Sequence, residues 1–123
     1  MTTQAKINIS IIVPRIIFNG ISSNPDVLLS LLGDLELHRL KEFLFDNLAD
    51  KDGSPEISAM KVHFFTYDEQ TKTGGFRLKF NIDRVFCCSD FGNCSEDYID
   101  FKFEYLQETV RAEASYFNWV LDN

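Results

Sequence analysis

The stretch FKFEYLQETVRAEA, Phe101 to Ala114, decides how this chain folds. Read outward from its middle, Gln107 and Glu108 form the two-residue link of a β-hairpin. Glu104 then faces Arg111 and Lys102 faces Glu113, opposite charges of the kind that fix a sheet register. On the other face Phe103 meets Ala112 and Phe101 meets Ala114, large against small. One face is charged and the other apolar, so the hairpin is predicted to lie with one side on a core and one side toward water.

The same alternation extends toward the N-terminus. Phe76, Leu78, Phe80 and Ile82 continue the apolar face, while Arg77, Lys79, Asn81 and Asp83 point outward. Residues 57–67, 76–88, 98–106 and 109–121 thus read as four strands joined by short polar links, an antiparallel meander. Upstream, Ile7, Ile9 and Ile11 alternate with Lys6, Asn8 and Ser10, predicting a further strand over 5–13 that Pro14 ends.

Between these strands the apolar period changes. Leu28, Leu31, Leu32 and Leu35, then Leu37, Leu40, Leu44 and Leu48, keep helical spacing. Asn24 and Pro25 suit a helix start, because asparagine caps free N–H groups and proline has none to satisfy. Gly33 breaks or bends the run, giving two helices or one kinked helix, and DKDGSP at 50–55 closes it. Residues 14–23 are expected to be irregular. The reading is α+β: an N-terminal strand, one bent or two helices, then a four-stranded antiparallel meander. The length of 123 residues and 45% hydrophobic content fit a single domain, 1–123, and twelve phenylalanines suit a half-buried sheet.

This order of elements resembles the cystatin-like architecture, in which an antiparallel sheet curls around a helix, and the resemblance implies such a curl here. The glutamine-valine-glycine loop of true cystatins is not found in FNGISSNP, Phe18 to Pro25, or elsewhere, so protease inhibition is not implied.

Twelve Lys and Arg stand against nineteen Asp and Glu, a formal charge of -7. A nucleic-acid or anionic-membrane binder needs a basic footprint, so neither partner is expected. No apolar run is long enough to span a bilayer, the start MTTQAKINIS lacks the pattern of a signal peptide, and three cysteines leave one unpaired; a cytoplasmic setting is expected.

The cysteines lie in FCCSDFGNCSED, Phe86 to Asp97. A zinc site needs about four ligands with paired spacing, which adjacent Cys87 and Cys88 with Cys94 do not give, and only His38 and His63 exist to complete a set. A reactive thiolate needs a positive neighbourhood, whereas Asp90, Glu96 and Asp97 supply the opposite. A Cys88–Cys94 disulfide is a minor alternative. The stretch is read as strand end, acidic turn and strand start, with no metal and no cofactor.

Its acids matter more. On the outer parity the polar pattern stops at one end of the sheet, at Val85 and Cys87, at Tyr98, and at Phe117 and Trp119, while the inner parity turns polar at Arg84 and Asn118. Asp90, Glu96, Asp97 and Asp100 gather at that end. Together with Tyr98, Phe117 and Trp119 they form a candidate surface for a basic protein, acids steering encounter and rings supplying contact area. A β-bulge near Tyr116 and Phe117, or cover from residues 15–23, would instead return the aromatics to the interior.

In size, acidity and absence of a catalytic motif the chain resembles the immunity proteins of contact-dependent growth-inhibition systems. That resemblance implies a non-enzymatic inhibitor that occludes the active site of a toxin, with a basic nuclease as the expected partner. Two alternatives stay open. One is a cystatin-like cone holding a small molecule, with His63 and Asp100 as acid and base and Tyr67 as donor; the other is a phage-encoded inhibitor of a host nuclease.

Overall fold

The register read from the last hairpin is present pair for pair: Phe101 opposes Ala114, Lys102 opposes Glu113, Phe103 opposes Ala112 and Glu104 opposes Arg111. The computed structural model describes residues 2–48, 51, 53–84 and 93–119. Its strands are β1 (Thr2–Ile12), β2 (Glu56–Asp68), β3 (Thr73–Arg84), β4 (Asn93–Leu106) and β5 (Thr109–Trp119). They form one five-stranded antiparallel sheet in the order β1-β5-β4-β3-β2. The meander β2 to β5 is therefore extended by the first strand, which pairs with the last. Gln107 and Glu108 turn with φ of 53° and 57°, the left-handed pair that matches the twist of a two-residue hairpin.

Pairing of β1 with β5 places Ile7 against Ala114, Ile9 against Ala112 and Ile11 against Val110, so three isoleucines join the apolar face. The pairing runs without a shift through Ala5–Tyr116, Gln4–Phe117 and Thr2–Trp119. Against β1, therefore, β5 has no bulge near Tyr116 and Phe117, and its pairing with β4 is regular from Leu106–Thr109 to Phe101–Ala114.

The bulges lie instead on the edge strand β2. Its register against β3 slips by one residue between Ser58 and Lys61 and again between His63 and Thr66, with Ala59 (φ 51°) and Phe64 (φ 55°) left-handed at the two slips. Each extra residue reverses which parity faces inward. Ile57 and Val62 are buried, and Phe65 and Tyr67 pack against the core, although no single alternation connects these four.

The helical segment covers the apolar face. It comprises α1 (Arg15–Phe18), a 3₁₀ turn (Ile21–Ser23), α2 (Val27–Leu31) and α3 (Asp34–Asp46). Residues 15–23, expected to be irregular, are largely helical, and α2 begins two residues beyond the Asn24-Pro25 start because those residues form the preceding turn. Gly33 separates α2 from α3 in an extended conformation, with Asp34 and Glu36 in the first turn, where carboxylates favour the helix dipole. Leu28, Leu32, Leu40, Leu44 and Leu48 are buried with the sheet residues, whereas Leu35 is 84% exposed, because the break at Gly33 resets the helical phase. Phe18 lies flat on Tyr105, ring centres 3.7 Å apart, and edge-on to Tyr67. Residues 15–23 therefore pack on the inner face and do not cover the outer one. Among the described residues every buried side chain is hydrophobic or a tyrosine, and no helix is long and apolar enough to cross a membrane.

Candidate functional site

The face of the sheet opposite the helices carries the candidate residues, and alternation along β4 sorts them. Glu96, Tyr98 and Asp100 are exposed on the outer face. Asp97, between them, turns to the inner side, where its carboxylate accepts the Tyr116 hydroxyl and, at 2.8 Å, the backbone N–H of Tyr98. The Tyr116 hydroxyl is pushed well above the ordinary tyrosine range, first by burial and then by its bond to this carboxylate. Asp90 lies outside the described residues, as do the side chains of Phe117 and Trp119, whose backbones belong to β5. Cys87, Cys88 and the side chain of Cys94 are likewise outside them.

Arg77 organises the outer face. Its guanidinium donates to both carboxylate oxygens of Asp100, at 2.8 and 3.2 Å, and stacks over the Tyr98 ring with 3.8 Å to the ring centre. Phe64 closes the other flank at 5.4 Å. The Asp100 carboxylate holds Arg77 protonated still more firmly than usual. Cross-strand register brings His63 opposite Arg77 and Arg77 opposite Asp100, so these three form one row. The result is a fixed arginine between two exposed rings, Phe64 at 72% and Tyr98 at 47% exposure. Such aromatic and arginine groups are the usual anchors of protein interfaces.

Sequence reasoning assigned neither Phe64 nor Arg77 to the site. The signal available was the doublet Phe64-Phe65, since two adjacent phenylalanines in a strand cannot both face inward. The acids expected to attract a basic partner are mostly engaged: Asp100 with Arg77, Asp97 with Tyr116, and Glu96 with Lys79 at 3.9 Å. Glu113, opposite Lys102 in register, closes its ion pair with Lys6 on the neighbouring strand at 3.7 Å.

The acid, base and donor proposed for a small-molecule cone do not converge. His63 and Asp100 belong to the outer face and flank Arg77, while Tyr67 packs against Phe18 and Phe103 on the inner face. A concavity lined by residues of β1, β3, β4 and β5 is open and draws its lining from both faces, Ile82 and Ile99 from one and Thr73 and Lys102 from the other, so it is not an enclosed chamber. Among the described residues no group of three or more His, Cys, Asp and Glu side chains is placed to hold a metal ion. Comparison with protein-family models, with curated proteins and with solved structures gives no match.

Proposed function

We propose that this chain is a protein-binding inhibitor of the immunity type, which docks on a toxin and occludes its active site. The single observation that carries the reading is the exposed Phe64–Arg77–Tyr98 cluster on the sheet face that the helices leave free. An exposed ring in a left-handed backbone position is unfavourable twice over, by apolar exposure and by backbone strain, and such positions concentrate at binding sites. The cystatin-like curl of the sheet around its helices belongs to the same reading, as the frame that presents this face.

A basic nuclease is the partner class that the net charge of -7 favours. Because Asp100 and Glu96 already have cationic neighbours, the rings supply contact energy and the wider acidic field steers approach. The test is co-expression with the product of the adjacent gene in a host that this product kills. The intact chain restores growth, and combined Phe64→Ala and Tyr98→Ala substitutions abolish rescue while the thermal midpoint stays unchanged. Rescue that survives the double substitution would remove this surface from the reading; no rescue by the intact chain would remove that toxin as its partner.

A further inference from the structure

On this acidic chain one depression is basic. It lies at the first bulge of β2, holds about 270 Å³, and its lining includes Ala59, Lys61, His63, Lys79, Asn81 and Glu96. Lys61 and Lys79 stand directly opposite each other across β2 and β3, an arrangement that repels at the shortest cross-strand distance. The bulge produces it: without the extra residue at Ala59–Met60, Met60 would take the place opposite Lys79. Lys61 has no ion pair among the described residues, and Lys79 has only Glu96, at 3.9 Å. His63 lies two residues further along β2, its ring tilted at 49° to that of Phe64.

Two lysines directly opposite weaken a strand pairing, an anion between them removes that repulsion, and here the chain supplies one carboxylate at the rim. We propose that this notch binds a single phosphate or carboxylate group of a small ligand, held between Lys61 and Lys79 with Asn81 as a further hydrogen-bond donor. Glu96 competes with the ligand for Lys79. A polyanion is disfavoured, because the rest of the molecule carries the excess of negative charge. This site is independent of docking at the neighbouring Arg77 cluster, and its test uses no partner protein.

The experiment is titration of the full chain with inorganic phosphate, phenyl phosphate and benzoate at constant ionic strength, followed by backbone amide NMR. The expected result is saturable shifts confined to residues 59–63 and 79–81. Lys61→Gln and Lys79→Gln each weaken binding by about fivefold, the effect of one exposed ion pair. Glu96→Gln strengthens binding, and Lys102→Gln, at the far end of the face, leaves it unchanged. Tighter binding of phenyl phosphate than of benzoate assigns the group as phosphate, and the reverse order as carboxylate. Shifts that do not saturate, or that fall equally on all surface lysines, would overturn the proposal. So would an unchanged affinity in Glu96→Gln, or tighter binding of a short oligothymidylate than of either small anion.

Discussion

The carboxylate of Asp26 accepts the backbone N–H of Val62 at 2.7 Å, so a residue at the start of α2 closes part of the exposed edge of β2. At the opposite edge the guanidinium of Arg39, on α3, donates to the backbone carbonyl of Asn8 on β1 at 2.7 Å. An open edge strand invites pairing with another chain, and here the helical segment guards both edges with side chains.

Asp26→Ala is therefore expected to destabilise the fold by about 1–2 kcal/mol, the range for losing a hydrogen bond to a charged group at a partly wet site. Asp26→Asn, which keeps an acceptor oxygen, should recover part of the loss. Urea denaturation measures both, and light scattering of the alanine variant should show association through the uncovered edge. Equal stability of all three proteins would show that the bond has no net effect.

At the hairpin tip two side chains occupy left-handed positions that asparagine and glycine prefer. Gln107→Asn is expected to stabilise by about 0.5–1 kcal/mol. Glu108→Gly should gain less, because the Glu108 carboxylate accepts the backbone N–H of Arg15 at 2.6 Å and ties the helical segment to the turn. Thermal melts of the two variants check the order.

Gly74 is a position where only the absence of a side chain fits. A Cβ there would meet the carbonyl oxygen of Thr66 at 2.1 Å and the Phe103 ring at 2.7 Å. Gly74→Ala should lower stability by about 3 kcal/mol, since backbone cannot yield as a flexible side chain does. Gly20→Ala, with nothing within 4 Å, should be close to neutral, and the pair of denaturation curves separates steric exclusion from a general intolerance of substitution.

The last hairpin was legible because each of its positions states its face: charge opposes charge at Glu104 and Arg111, and volume alternates at Phe103 and Ala112. The five strands and the break at Gly33 follow from the same local patterns. The placement of β1 beside β5 was not legible, because Ile7, Ile9 and Ile11 would fit the apolar face of any edge. Nor was the site at Phe64 and Lys61. Alternation assumes one residue per step, and the slips at Ala59 and Phe64 carry no glycine or proline to announce them. Asp97 misled for a related reason: it stands between exposed Glu96 and Tyr98, but its partner, Tyr116, is nineteen residues away on the next strand.

The Tyr116 hydroxyl gives the fold a dependence on alkaline pH. In the folded chain it is held well above its ordinary value of 10.0, by burial first and by the bond to Asp97 second; unfolded, it returns toward 10.0. Below that value both states keep the proton, and its contribution to stability is fully present. As pH rises past about 10 the unfolded state loses the proton first, so the free energy of unfolding falls with pH. Tyr105, raised by burial with its hydroxyl on the Val13 carbonyl at 2.6 Å, adds a decline of the same sign. Tyr116→Phe should lower stability at neutral pH by about 1 kcal/mol, through loss of one hydrogen bond. It should also flatten the decline above about pH 10, leaving the share due to Tyr105 and to Tyr67, which burial also raises. Urea midpoints measured from about pH 8 to about pH 11 on both proteins check the sign. An identical slope in the two would show that Tyr116 ionises as freely folded as unfolded, and would remove the Asp97 bond from the account of this end of the sheet.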